Sequence, residues 1–505
     1  MVSTHLEIET KYDVDGTFVL PRLDDVAAAD PPVEHVLDAV YHDTADLRLL
    51  RARVTLRRRT GGPDAGWHLK LPAGNARREL HAPLGRGARK APHALLGPVT
   101  GILRGAVPEP VAMLHTRRVV TALRSGDGRV LAEVADDTVT ATLAAAGPGE
   151  PASVHAWREV EVELVEGDEA LAAAVGERLL AAGARPSASA SKVGRVLADR
   201  LAPAPRRPPG KKQRKRGPVA GDAVMDALRG QVAALQGADV LLRTEQPDAV
   251  HQVRVAARRL RSTLAAFREV LDPAATTPLR DELAWLGAQL AGARDDEVAL
   301  AHLRALVAAE PSELVLGPVA ARLQQTQIGL GTAGVDRALG TLAEPRYLAL
   351  LDGLHALLDD PPVTARAGEP FRTVLEDAVG RSAKRLRRRL RKAERAGDAD
   401  REEALHDVRT AAKRLRYVAE LGDGSSSGVR PLARAAKRAQ RVLGDVQDSV
   451  VTREHCRRLA LAAFAAGENS FPYGRLHALE QARAERAEAQ FWCLEPDLRR
   501  LLRRV

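Results

Sequence analysis

An eleven-residue stretch that begins at His251 returns 155 residues later: His251-Gln-Val-Arg254-Val-Ala-Ala-Arg258-Arg259-Leu260-Arg261 aligns with His406-Asp-Val-Arg409-Thr-Ala-Ala-Lys413-Arg414-Leu415-Arg416. In each copy a histidine and three cations follow one another at spacings of three, four and three, which sets them on one face of a helix. Val253, Ala257, Leu260 and Leu264 in the first copy, and Leu405, Val408, Ala412 and Leu415 in the second, form a separate apolar stripe. Each helix therefore buries one face and offers a His/Arg/Lys row on another. Leu290, Asp295, Val298 and His302 return in the same way as Leu443, Asp448, Val451 and His455, displaced by 153. The C-terminal part is thus constrained to fold as a duplicated helical unit, with repeats at about 218–345 and 370–505. Packing requires the apolar stripe to be repeated, but not the exposed cations, so the matched rows point to a shared anionic ligand.

Cations recur elsewhere in this part. Arg381, Lys384, Arg385, Arg388 and Lys392 share one expected helix face, and Arg434, Lys437, Arg438 and Arg441 share another. Over 505 residues the chain carries 76 Lys and Arg against 66 Asp and Glu, a net of +10. Residues 1–200 hold 25 of the former and 27 of the latter, leaving 51 against 39, a net of +12, for the remainder. Between the two parts runs Pro203-Ala-Pro-Arg-Arg-Pro-Pro-Gly-Lys-Lys-Gln-Arg-Lys-Arg-Gly217. Its prolines cannot continue a helix and its cations repel one another, so it reads as an extended linker at 203–217 between domains at 1–202 and 218–505. Aromatic residues are only 3% of the chain, which argues against recognition of single-stranded nucleic acid by stacking. Cys456 and Cys493 cannot build a disulfide framework or a cysteine zinc site, and a reducing compartment is the natural reading. Zinc held by His251, His302, His406 and His455 is the weaker alternative, because the surrounding cations repel a metal. The first residues lack a basic region followed by an apolar stretch, and no apolar run reaches the ~20 residues of a bilayer span. A cytoplasmic protein without a membrane segment is expected.

The N-terminal part alternates with period two. In Leu6-Glu7-Ile8-Glu9-Thr10-Lys11, Glu7, Glu9 and Lys11 fall on one face and Leu6 and Ile8 on the other. Leu56-Arg57-Arg58-Arg59, His68-Leu69-Lys70 and Glu159-Val160-Glu161-Val162-Glu163-Leu164 alternate likewise, and Gly/Pro clusters separate the runs as in an antiparallel sheet. Three carboxylates side by side on one strand face repel one another unless cations or a metal lie between them. Arg57, Arg59 and Lys70 supply the opposite sign from other strands. If these faces all turned inward in a barrel, the lumen would be a charged binding site rather than a core. Alternation alone leaves open which face is inside.

Glu7-Ile-Glu9-Thr-Lys11 resembles the ExExK signature of the CYTH family, the triphosphate tunnel metalloenzymes. Further segments occur in that family's order: Tyr41-His42-Asp43-Thr44 with Leu47 and Leu50, Leu56-Arg57-Arg58-Arg59, His68-Leu69-Lys70, Arg78-Glu79, Arg117-Arg118, Glu133 with Asp137, Glu159 to Leu164, and Ser191-Lys192. The resemblance implies an eight-stranded antiparallel β-barrel whose inward cations bind triphosphate and whose inward glutamates hold Mg²⁺ or Mn²⁺. It assigns Arg57, Arg59, Lys70, Lys192 and either Arg117 or Arg118 to phosphate, since a one-residue slip changes which side chain faces inward. Glu7, Glu9, Glu161 and Glu163 would hold the metal, with Glu159 and Asp137 as weaker candidates. Glu7, Glu9 and Lys11 would be catalytic, Lys11 either binding phosphate or tuning the two glutamates beside it.

The repeated histidine motif resembles the CHAD family, the conserved histidine α-helical domain. This likeness implies an all-α domain of two pseudo-symmetric four-helix bundles that binds inorganic polyphosphate through His251, Arg254, Arg258, Arg261, His406, Arg409, Lys413 and Arg416. Arg294 stands where the second copy has Gln447, so the halves are not equivalent. Polyphosphate and nucleic acid share the counterion-release term, but scarce aromatics and the lack of a groove-reading motif favour the simpler polyanion over nucleic acid. The expectation is an α+β chain that hydrolyses inorganic triphosphate, or polyphosphate ends, in the tunnel and binds polyphosphate through its helices. The alternative is a non-catalytic polyphosphate-binding or granule-associated protein.

Overall fold

In the computed structural model the alternating runs of the N-terminal part become eight long antiparallel strands: β1 (Ser3–Val14), β2 (Val33–Asp43), β3 (Thr55–Thr60), β4 (Gly66–Ala73), β5 (Ala76–Pro83), β6 (Glu109–Arg124), β7 (Val130–Leu143) and β8 (Ser153–Leu164). Their order is β1-β5-β4-β3-β2-β6-β7-β8, and β8 pairs back onto β1, so the sheet closes into a barrel. The structure describes residues 2–85, 90–143, 153–202, 217–291, 293–422 and 429–505. It divides into two compact units, 1–207 and 208–505. The segment expected as a linker lies, apart from Gly217, outside the described residues.

What covers the outer face of the wall decides which face points inward. Val160, Val162 and Leu164 of β8 pack with Tyr12, Leu123 and Val134 beneath Val175 and Leu179 of helix α2 (Glu169–Ala181). That helix starts where the Asp168 side chain accepts the Leu171 N–H. Once the valines are covered, pleating turns Glu159, Glu161 and Glu163 into the barrel. The apolar core of this unit therefore lies outside the barrel wall, and the lumen is left polar.

The Tyr41-His42-Asp43-Thr44 segment has a structural role. The buried Asp43 carboxylate accepts N–H groups from Thr44, Leu49 and Leu50 at 2.7, 2.9 and 2.9 Å, anchoring the one-turn helix α1 (Arg48–Arg51). A short helix α3 (Lys192–Val196) follows Ser191, whose hydroxyl accepts the Gly194 N–H.

The second unit shows the duplication directly. In the first copy, α4 (Ala220–Arg243) and α5 (Ala249–Ala266) precede α6 (Pro273–Gln289) with α7 (Ala293–Ala309), then α8 (Val319–Ala343) with α9 (Pro345–Asp359). In the second, α10 (Phe371–Arg395) and α11 (Asp398–Glu420) precede the uninterrupted α12 (Val429–Ala465) and α13 (Phe471–Leu502). Each copy is thus four helices, the third and fourth of the first being broken. One break has a clear cause: Glu344, extended at ψ 139, stands before Pro345, and the residue before proline is pushed out of the helical region. The apolar stripes of both motif helices, Val253 to Leu264 and Leu405 to Leu415, lie in one shared core. No helix is long and apolar enough to cross a membrane among the described residues.

Candidate functional site

The pairing of the strands builds the lumen. Glu9 sits opposite Glu163 and Lys11 opposite Glu161 across β1 and β8. Asp137 of β7 lies between Arg118 of β6 and Glu159 of β8. On the far wall Lys70 faces Glu79 across β4 and β5. The resulting cavity, of about 200 Å³, is lined by seven lysines and arginines and six carboxylates, together with Tyr41, His5, His68 and His81.

Two ion networks organise it. In the first, the buried Lys192 ammonium lies 2.9 Å from Asp137, 2.7 Å from Glu159 and 2.5 Å from Glu161. Arg118 binds both oxygens of Asp137, at 2.8 and 2.6 Å, and also Glu161. Lys11 joins Glu161 and, at 3.0 Å, Glu9. Burial opposes the charge on Glu161, but Lys11, Lys192 and Arg118 outweigh it and hold the carboxyl well below its usual range. In the second, Lys70 meets Glu7 at 2.5 Å and Glu79 at 3.5 Å, and Arg57 approaches Glu79 at 3.9 Å. Burial again opposes ionisation of Glu79, yet His68, Lys70 and Arg57 keep it ionised.

Both signs are left with unmet demand. Glu163 has no ion pair or hydrogen bond among the described residues, and burial with Glu7 and then Glu9 nearby pushes its carboxyl up to about 7. Glu7 Oε2 is buried without a hydrogen-bond partner. These carboxylates fit a divalent cation, which would relieve the repulsion among them. Asp137, Glu159 and Glu161 also lie close enough to share an ion, although here Lys192 already occupies their common side. Arg59 pairs with Asp64 through one end of its guanidinium, but its Nε is buried without a partner and its charge is disfavoured first by burial and then by Arg57 and Arg118. An anion in the lumen would relieve it.

The lumen gathers Glu7, Glu9, Lys11, Arg57, Arg59, Lys70, Arg118, Glu161, Glu163 and Lys192. Arg117 is corrected: it points outward and pairs with Glu34 at 2.6 Å on the barrel surface. Adjacent residues of a strand face opposite sides, so only one of the two arginines can enter. Glu79, His68, Tyr41 and Arg77 also line the lumen without having been assigned a role, although the alternation Arg77-Glu79-His81 carried the signal.

In the helical unit the motif rows of the two copies meet. Lys413 is pushed down to about 7, first by burial and then by Arg258, Arg409, Arg416 and Arg254, cations drawn from both copies. Arg409 Nε is buried with no hydrogen-bond partner. Tyr417 Oη accepts from Arg258 at 3.3 Å and lies beneath Arg416, its ring centroid 4.8 Å away. Arg261, with Arg385, Arg280 and Arg268, lies near Arg414, whose charge these four disfavour after burial. His406 bonds Gln447 at 2.7 Å, while His302 and His455 bond Glu480 and Asp296 at 2.7 and 2.8 Å. The side chain of Arg294 lies outside the described residues.

Comparison with known proteins matches the CYTH domain to residues 5–195 and the CHAD domain to residues 226–457. An uncharacterized protein of Mycobacterium tuberculosis (strain ATCC 25618 / H37Rv) is 40% identical over 516 aligned positions, covering 98% of this chain and 96% of its own. Among solved structures, PptA from Streptomyces chartreusis is similar at 22% identity and a TM-score of 0.46, over 55% of this chain and 100% of that one. The CHAD domain from the plant Ricinus communis is similar at 26% identity and a TM-score of 0.42, over 56% of this chain and 92% of its own.

Proposed function

The chain belongs to the CYTH and CHAD families, with a CYTH domain followed by a CHAD domain, and from that premise we propose that its tunnel hydrolyses inorganic triphosphate or the ends of polyphosphate, while its helical unit binds inorganic polyphosphate. The mixed lumen carries the reading. Binding an anion would call for cations alone, whereas seven cations and six carboxylates facing one small cavity suit a polyphosphate bound together with a divalent metal. Mg²⁺ or Mn²⁺ held by Glu7, Glu9, Glu163 and Glu161 would supply neutralisation of phosphate oxygens and a positioned water. Arg57, Arg59, Lys70, Arg118 and Lys192 would grip the phosphate oxygens, and their buried setting strengthens each contact. Water adds to the terminal phosphorus, the bond to the bridging oxygen breaks, and orthophosphate leaves a chain one phosphate shorter. Phosphate release from tripolyphosphate, long-chain polyphosphate, ATP and thiamine triphosphate, with Mg²⁺ or Mn²⁺ and with chelator, tests the reading.

The facing of the two adjacent arginines gives a paired prediction. Arg118→Ala is expected to lower kcat/KM for tripolyphosphate about a hundredfold, as loss of one preorganised donor to a phosphoryl group does. Arg117→Ala removes only an exposed ion pair and should stay within about twofold of wild type. Parallel steady-state assays of the two proteins decide it; a reversed pattern would place Arg117 at the phosphate.

Lys413 makes polyphosphate binding pH-dependent. Its ammonium is discouraged in the free protein and favoured beside phosphate, so binding takes up a proton. The contribution is complete below the free value of about 7 and is lost as pH rises above it. Affinity should therefore fall by up to about tenfold per pH unit above neutrality. Titrations at constant ionic strength from pH 6.5 to 9 check this, and Lys413→Arg should flatten the profile.

A further inference from the structure

The two ends of the tunnel differ in charge. Ser3, His5 and Asp64 line one end, where Arg59 is already paired with Asp64 and His5 lies 3.4 Å from Glu79. At the other end Thr55, Arg77 and Ser191 line the tunnel and also line a second cavity of about 620 Å³. A wall common to both spaces sets them side by side. Of the cations in the second cavity, Arg195 is bound to Asp13 at 2.6 Å. Arg77 donates to the Ala190 carbonyl at 2.9 Å, and Arg53 is exposed with no ion pair or hydrogen bond from its side chain among the described residues.

Arg53 also holds an unusual backbone. It follows α1 with φ at 61°, the left-handed region where a β-carbon costs about 1 kcal/mol and glycine is the usual residue. An arginine in that position brings a free guanidinium to the cavity at some conformational cost.

Resting on the hydrolase reading above, we infer that the second cavity is a subsite for linear inorganic polyphosphate, receiving the phosphates that extend beyond those held in the tunnel. Chains of four or more phosphates are then substrates in their own right. Spaced cations with free N–H groups suit a run of singly charged phosphates. Among the described residues no aromatic ring lines the cavity, which offers a nucleobase no stacking surface.

The test uses the full chain and Arg53→Gly. Glycine accepts the left-handed backbone, so the variant should fold with an unchanged or raised Tm, and any loss reflects the missing guanidinium. KM for tetrapolyphosphate and longer chains should rise about tenfold while KM for tripolyphosphate stays unchanged. An equal change for all chain lengths, no change for any, or a change confined to ATP overturns the subsite. Absence of tripolyphosphate turnover in the wild type would instead sink the hydrolase reading. The subsite is then judged by calorimetry: the helical unit contributes equally to both proteins, so weaker tetrapolyphosphate binding by Arg53→Gly supports it and identical binding refutes it.

Discussion

Glu9→Ala is expected to lower metal-dependent turnover of tripolyphosphate by about 10²–10³-fold, with little change in the fold. Glu9 stands where the two halves of the lumen's charge meet: its carboxylate bonds Lys11, lies across the β1–β8 pairing from Glu163, and feels Lys70. Burial works against its charge and Lys11 restores it, so the free protein spends interaction energy keeping this group ionised. Removing the carboxylate takes away one of the four oxygen donors proposed for the metal and frees Lys11 to bind Glu161 alone. Loss of metal affinity and loss of rate should therefore appear together. Raising the metal concentration should recover part of the rate in Glu9→Gln, which keeps the side chain's shape but not its charge. The readout is phosphate release across a Mn²⁺ titration for wild type, Glu9→Ala and Glu9→Gln. Equal background release by all three proteins would remove the hydrolase and leave the non-catalytic polyphosphate-binding protein as the surviving reading.

The strands and the duplicated helices could be read directly from the chain because each rests on a period that local residues repeat. Glu159, Glu161 and Glu163 alternate with Val160 and Leu164 whatever the rest of the chain does. Which face turns inward is not a local property. Helix α2 decides it by covering the valines, and the contact joins residues with no pattern in common. The same limit explains Arg117 and Arg118: two neighbouring arginines are equivalent in composition, and only the β6–β7 pairing of Arg118 with Asp137 separates them. Arg261 matches Arg416 in the repeat, yet the charge of Arg416 bears on Lys413 and that of Arg261 on Arg414, a distinction set by how the two motif helices pack and not by their shared spacing. Glu79 was missed for want of a partner in sequence; its meaning comes from His68, Lys70 and Arg57 on neighbouring strands.

The largest effect expected in the helical unit is for Arg254→Ala combined with Arg409→Ala, which should weaken polyphosphate binding about a hundredfold while tripolyphosphate turnover stays nearly intact. Each arginine is credited with roughly 1.4 kcal/mol, near the low end for a hydrogen bond to a charged group. The two belong to different copies and act together on Lys413, so the double variant tests whether the duplicated rows form one site. Salt dependence supplies a second readout. With two fewer phosphate contacts, the slope of log affinity against log salt should become shallower by about 1.4, taking ~0.7 for each contact on a single-stranded polyanion. The third readout follows from the crowding itself. With Arg254 and Arg409 gone, two of the four cations that depress Lys413 are removed, so its ammonium persists to higher pH in the free protein. Less proton uptake then accompanies binding, and the fall in affinity above neutrality should begin later than in wild type. A structural role for these arginines would weaken binding without moving the salt slope. A double variant that binds as tightly as wild type would place the polymer elsewhere on the helices, and the stripe from Arg434 to Arg441 would be the next surface to substitute.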